Sequence, residues 1–475
     1  NWLGAVGVST REAPVDSKWG VSGGGKHVRE DGLTVGGFGS FFYERDSSFY
    51  DNGIDDSWWV DTPGDGMTPE TNQGNAQGGD FKTSLFDVAK ANQLIQWGGL
   101  STIGVEGDDF EVGATLLYSH TAEDSATLAE ETRGKLYYFP DYDVNDPAAP
   151  GNDSDTVDAA PWLRLETLNY TERTTGTLQL NGRHELAWEP PTLTWLGEFD
   201  TPVLDWTVAQ SFAEFYQPDK RQFGALWHAD SFNPGAPPFI PPFTAPNIWL
   251  PYKPGANFNL GNIQRIWKEI DEDSTAYTTN LKMPFERDGE EGYLKFGLFG
   301  DGVTRKFDQE SFSNFGDAGA NYEGGWDDSW SDVWGSEDHP ITESLYDVDY
   351  RGSLDISALY AMAEVPLSSE MNVVGGLRFE STGIDIVNTP EALSLWYPPG
   401  SSAPVELNAG DADVDFSQDD VLPSIGLNYE PQEDLTLRFS YGSTIARQTF
   451  KELSPIIFQE YLGGPIFIGN PSLGM

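Results

Sequence analysis

The sequence predicts an all-β fold, a transmembrane antiparallel β-barrel with long loops at one end and short turns at the other. Three observations point there: apolar and polar residues alternate with a period of two, short polar turns take turns with long loops, and many aromatic residues accompany extreme acidity. The alternation is clearest near the C-terminal end, where Leu435, Leu437, Phe439 and Tyr441 alternate with Thr436, Arg438 and Ser440. Successive side chains on a strand point to opposite faces, so one face here is apolar and the other polar. Before the turn Glu430 to Asp434, Val421, Pro423, Ile425, Leu427 and Tyr429 alternate in the same way with Leu422, Ser424, Gly426 and Asn428. The pair reads as one hairpin of a sheet with a single apolar side.

The same unit recurs from the front of the chain. Strands are expected at about 18–27 and 33–44 around Arg29 to Gly32, then a polar segment to about 82. A second pair, about 92–105 and 110–118, turns at Glu106 to Asp109 and leads into an Asp- and Pro-rich excursion to about 160. Further pairs are expected at about 163–186 with 203–216, 263–285 with 292–307, and 350–365 with 371–382. Loops of about 217–262, 308–349 and 383–415 separate them. The count is about thirteen strands, an odd number that cannot close a bacterial barrel of even strand number. Loops of this length are uncommon in compact soluble domains. Here they recur only on alternate connections, as in a barrel inserted from one side.

Composition narrows the function classes. With 27 Lys and Arg against 76 Asp and Glu, the net charge is −49, which argues against nucleic acid as a partner, since phosphate contacts need a positive surface. Disorder is the usual companion of such charge, yet 28 Phe, 19 Tyr and 16 Trp are far too many for a disordered acidic chain. No cysteine is present, which removes disulfides, thiolate nucleophiles and cysteine metal sites. No apolar run reaches the length of a membrane-spanning helix, a criterion that barrel strands never meet.

One paired motif goes further. Ala446-Arg447 is followed by Phe450, Glu452, Leu453 and Pro455, and then by Gly469, Asn470 and Pro471. This resembles TonB-dependent outer-membrane receptors, whose barrels often carry Ala-Arg-Pro-x-Phe-x-Glu-Leu-x-Pro and then Gly-Asn-Pro-x-Leu; Gln448 stands here where the proline is usual. Stretches such as Trp97 to Leu100, Tyr118 to Asp124, Leu204 to Trp206 and Leu422 to Ser424 look like the same family. The resemblance implies a barrel of 22 strands in the bacterial outer membrane, with lipid and lipopolysaccharide around it and an N-terminal plug inside it. It also implies a segment that engages TonB and its inner-membrane energising complex. Residues 1–475 are expected to be part of such a barrel, with plug, leader and closing strands lying outside them. The implied activity is active import of a scarce nutrient rather than an enzymatic reaction, and no cofactor is required.

Candidate contacts with the nutrient lie in the loops. Trp58 and Trp59 stand among Asp51, Asp55, Asp56 and Asp61, and Trp326, Trp330 and Trp334 among Asp327, Asp328 and Asp332. Flat aromatic faces suit the apolar side of a sugar ring and carboxylates accept its hydroxyl protons. The bland alternative is loop packing or an interfacial aromatic belt. Asp141, Asp143, Asp153 and Asp155 read first as a solvated loop, and second as structural calcium ligands, since calcium takes six to eight oxygens. Arg378, Glu380 and Arg438 are expected on the lumen face as structural ion pairs. Five scattered histidines make a catalytic zinc site improbable.

Carbohydrate is favoured as cargo, a ferric siderophore next, because so negative a loop field opposes an anionic chelate. A surface lipoprotein is a further possible partner. Two rival readings remain open: a passive porin-like or adhesin-like barrel, and a secreted acidic β-propeller glycosidase, which would also be rich in Trp, Asp and short strands.

Overall fold

Among the described residues the predicted alternation becomes twelve long strands, each hydrogen-bonded to its neighbour in sequence. The computed structural model describes residues 7–56, 58–59, 66, 68–69, 85–131, 163–188, 190, 196–228, 248–251, 263–313, 342–391, 393–401, 403–432, 434–459 and 466–473. In chain order the long strands are β1 (Ser17–Val28), β2 (Thr34–Asp56), β3 (Leu85–Glu106), β4 (Phe110–Glu131), β5 (Leu163–Glu185) and β6 (Val203–His228). They continue with β7 (Ile263–Arg287), β8 (Glu290–Ser313), β9 (Val348–Ser368), β10 (Met371–Pro390), β11 (Val414–Gln432) and β12 (Leu435–Gly442). Three short strands join the same sheet: Glu198–Phe199 on β7, Ile248–Pro251 on β6 and Thr342–Glu343 on β8. All pairs are antiparallel, and the path is a meander without a crossover. Among the described residues β1 and β12 do not pair with one another, so the sheet is an open wall. With twelve long strands, the parity of the count plays no part in leaving it open.

The strands outrun the alternation that predicts them. β2 continues to Asp56 where a loop is expected from 45, β4 reaches Glu131 instead of about 118, β6 reaches His228 instead of about 216, and β10 reaches Pro390 instead of about 382. An alternating apolar pattern requires an apolar medium on one face; where that medium ends the pattern lapses while the backbone ladder continues. Strands of 22 residues, such as β3 and β4, span about 70 Å at roughly 3.3 Å per residue, against an apolar band of about 25 Å.

Turns at the short end follow from local chemistry. Between β7 and β8 the loop is Asp288-Gly289, with φ of 56° and 85°, the positive pair that a two-residue type I′ hairpin turn requires. Between β1 and β2, Arg29 N–H donates to Leu33 O at 2.8 Å, and Gly32 takes φ 85°. Only the β5–β6 connection is longer. Its second half, from Leu196, lies on the wall, with Leu196 buried completely and Phe199 edge-on to Phe285 at 5.9 Å.

Register sorts the side chains onto two faces. The outward face carries Ile103 opposite Ala114, Leu180 opposite Val208, Leu298 opposite Leu359, Phe379 opposite Val421 and Ile425 opposite Tyr441. Most of these large side chains are exposed, Leu298 and Leu359 at 56% each. Toward the long-loop end the band is edged by rings in contact: Trp19 with Tyr43 at 5.8 Å, Phe41 with Trp97 at 6.3 Å and Trp97 with Tyr118 at 5.2 Å. Phe110 and Trp206 mark the margin near the short turns. Tyr118 and Phe110 are 118 − 110 = 8 residues apart on β4, about 27 Å along the strand, a fit to an apolar band bounded by aromatic girdles.

The inward face is polar and internally bonded. Asn280 donates to Asp205 at 2.8 Å and accepts from Tyr360, Asn428 donates to Asn372 and Asn372 to Glu364, both at 2.8 Å. Arg378 donates to Glu380 at 2.7 Å on this face, as expected, and Arg438 shares it in register with Asn428. Toward the long-loop end the same face turns apolar. There Phe307, Val348, Tyr350, Ile384, Ile386 and Val414 form a core with Trp396, Leu407 and Ala412 from the connection after β10. Among the described residues no helix is long and apolar enough to cross a membrane.

Replacing Leu298 by Arg tests which medium meets the outward face. In lipid the change should destabilise the folded protein by about 2–4 kcal/mol, read from denaturant unfolding in vesicles, whereas an exposed leucine in water would tolerate it.

Candidate functional site

The paired motif builds the inner side of the mouth. After Gly442 the chain leaves β12, Ser443 N–H donates to Pro423 O at 3.0 Å, and the backbone crosses the inward face. Arg447 forms an ion pair with Glu380 and donates from Nε to Thr382 Oγ1 at 3.2 Å, so one buried carboxylate holds both Arg378 and Arg447. A single helical turn follows, α1 (Phe450–Leu453), entered through Thr449, whose N–H and hydroxyl both donate to Glu452 Oε2 at 2.7 and 3.0 Å. Those bonds favour the ionised form and hold the Glu452 carboxyl below its ordinary range.

Each remaining motif residue has a packing reason. The Phe450 ring lies over Gly352, where an added Cβ would come within 2.5 Å of it, with Arg305 at 5.2 Å from its centroid and the Tyr350 ring at 6.4 Å. Leu453, Ser454, Pro455 and Ile456 are buried. The second half of the motif returns through the short pair Ile457–Gln459 and Ile466–Ile468, and Asn470 N–H donates to Glu452 O at 2.6 Å. Gly469 sits so close that a Cβ would lie 1.8 Å from Ser454 O. The two halves of the motif therefore form one structure, a strap over the inward face, with Ala446 exposed at its start and Pro471 in the closing turn. Gln448, in place of the usual proline, lies in a stretch without helix or strand.

Between strap and wall lies a cavity of about 140 Å³. Its floor is a cross-strand row, Gln217 on β6, Lys268 on β7 and Gln309 on β8, in direct register. Phe458 from the strap and Tyr346 from the turn before β9 line it too. Beside it the buried Asp347 carboxylate accepts from Ser311 N–H at 2.5 Å, Ser311 Oγ at 3.0 Å and Gln309 Nε2 at 3.1 Å. Burial outweighs these bonds and pushes its pKa up to about 7. Glu391, just past β10, rises to about 7 through burial and the neighbouring Glu343. The Tyr346 phenol is pushed up to about 12, by burial and by its bond to Tyr397.

The loop candidates are not gathered here. Trp58–Trp59 pairs with Thr68–Pro69 as a short ladder, and nothing of those indole side chains falls within the described structure. Trp326, Trp330, Trp334, Asp141, Asp143, Asp153 and Asp155 lie outside the described residues. Two of the histidines sit on the outward face in ordinary contacts, His120 with Thr174 at 3.0 Å and His184 accepting from Trp206 Nε1 at 3.1 Å. Residues 217, 268 and 309, which the structure brings together, lie far apart in the sequence; only the pairing register aligns them.

A wall apolar outside, bonded and polar inside, with aromatic margins and a strapped mouth, defines the class: a membrane β-barrel of the outer-membrane type. The family of TonB-dependent receptor-like β-barrels matches residues 122–474, and the chain belongs to it. Members of that family are outer-membrane receptors and transporters that work with TonB. No curated protein matches the chain. Among solved structures, a double mutant of the ferric enterobactin receptor PfeA from Pseudomonas aeruginosa aligns at 8% identity over 89% of this chain and 71% of its own, with a TM-score of 0.11.

Removing the strap's anchor should free it. Phe450→Ala should cost about 3–5 kcal/mol, with early proteolytic cleavage within residues 443–475 as the readout. Asp347 gives a pH test. Its folded pKa lies above the ordinary carboxylate value, so its contribution is complete at pH below about 4 and is lost as pH rises through about 7. Amide exchange at Ser344 to Tyr346 should therefore quicken between pH 5 and 8, by roughly tenfold or more, beyond the intrinsic pH effect, and Asp347→Asn should flatten that excess.

Proposed function

We propose that this chain forms the wall of an outer-membrane active transporter that captures a scarce nutrient at its loops and admits it on energy relayed by TonB, with a carbohydrate as cargo. The observation behind this reading is the match of a receptor-barrel family to residues 122–474. The polar inward face supports a lumen that is filled by protein or water, and in the proposal a plug domain occupies it. No bond of the cargo need change.

Two features favour sugar over a ferric chelate. A net charge of −49 raises the work of bringing in a chelate of several negative charges, while a neutral glycan is indifferent to it. Aromatic residues of the expected loops, Trp58, Trp59, Trp326, Trp330 and Trp334, would offer stacking faces of the kind sugar rings use. The proposal extends to lipopolysaccharide against the outward face, a surface lipoprotein over the mouth, and calcium among Asp141, Asp143, Asp153 and Asp155, where it would relieve repulsion between acids.

Uptake by cells carrying the full-length receptor is the test. Labelled oligosaccharide should accumulate with TonB and not without it. Equal accumulation in both would make the barrel a passive channel, and TonB-dependent accumulation of a ferric chelate alone would overturn the carbohydrate assignment.

A further inference from the structure

The acidic chain keeps a small basic site on its inner wall. Lys268 lies in the cavity floor between Gln217 and Gln309, and its ammonium makes no hydrogen bond and no ion pair with any described residue. Its charged neighbours are Lys451, which repels it, and Asp347, which attracts it from beyond contact distance. Both lysines face one ring: Lys268 is 5.7 Å and Lys451 3.8 Å from the Phe458 centroid. Lys220 also lines the cavity, with partners of its own. With only 27 basic residues in 475, two lysines over one ring concentrate positive charge at this place.

We propose that this cavity is a subsite for one carboxylate-bearing sugar unit, with Lys268 taking the carboxylate, Gln217 and Gln309 the hydroxyls, and Phe458 or Tyr346 the ring face. The inference rests on the carbohydrate reading above and narrows it to acidic saccharides. Each part has a physical reason. A half-buried ammonium without an acceptor is costly, and an anionic ligand removes that cost. Amide side chains both donate and accept, which matches hydroxyls that do both. Asp347 does not cancel Lys268, since its carboxyl is turned toward Ser311 and Gln309 and burial holds it partly protonated near neutrality. The cavity, about 140 Å³, suits one ring rather than an oligomer, so the remainder of a longer chain would extend toward the loops. A single carboxylate meets the repulsive outer field once and finds its cation inside; a chelate of several charges meets it several times over.

The test uses the purified full-length receptor in detergent with two disaccharides, cellobiouronic acid and cellobiose, which differ by one carboxylate in place of a hydroxymethyl group. Calorimetry should give at least about tenfold tighter binding of the acid, in keeping with a charge-assisted hydrogen bond. Lys268→Met, which keeps the aliphatic stem, should bring the acid to the level of cellobiose; the same loss of preference as salt is raised in the unmodified receptor guards against a variant that fails to fold. Equal affinity for both sugars, binding of neither, or a preference that survives Lys268→Met overturns the subsite. TonB-dependent uptake of neutral glycans alongside any of these would sink the subsite alone, whereas absence of all saccharide uptake would sink the cargo reading with it.

Discussion

Everything in this molecule depends on the pairing of backbone N–H and C=O groups between neighbouring strands. In hydrocarbon an unpaired peptide group costs several kcal/mol, roughly as much as a good interaction supplies, so a chain that enters lipid as strands must pair all of them. The meander of β1 to β12 does this with neighbours in sequence along every seam between them, leaving only the outer edges of β1 and β12 without a strand partner among the described residues. Once the ladder is set, side chains have only two directions to take, and the two media sort them: Leu298 and Leu359 outward, Asn280 and Arg378 inward. The −49 charge is compatible with membrane residence because the apolar band needs only every second residue over part of each strand.

The inner side of the mouth obeys a different rule. There the wall carries a core of ordinary soluble character, with Tyr350, Ile384 and Ile386 almost fully buried beneath Phe450 and Leu453. One carboxylate, Glu380, fixes two arginines from separate parts of the chain, and one glycine, Gly352, gives the Phe450 ring its seat. The cavity exists because the strap closes over the wall where three glutamine and lysine side chains stand in a row.

Much of this was legible in the sequence, and the reason is the period of two. Hairpins such as β11–β12 announce themselves because lipid enforces the alternation, and Asp288-Gly289 announces its own turn. The strand ends were not legible: residues 45–56 of β2, with a register shift between Tyr50 and Gly53, and 119–131 of β4 stay paired to the next strand, but no lipid imposes a pattern on them. The paired motif around Arg447 and Asn470 could be recognised as a unit, while its cause, the bond from Asn470 to the Glu452 carbonyl, could not. The cavity was invisible because Gln217, Lys268 and Gln309 become neighbours only through register, and a one-residue slip on any strand would turn them to the opposite face.

The strap also has a mechanical meaning. It is attached at β10 through Arg447, at β9 and β8 through Phe450 and at β7 beside Lys268, after starting from β12, so it crosses the inside of the wall as a chord crosses an arch. An arch with its chord in place cannot flatten without stretching the chord, and this chord is held by an ion pair and a buried aromatic ring. That sector of the rim therefore keeps its curvature when force is applied along the axis, and any change of aperture has to be taken up by the sectors that have no chord.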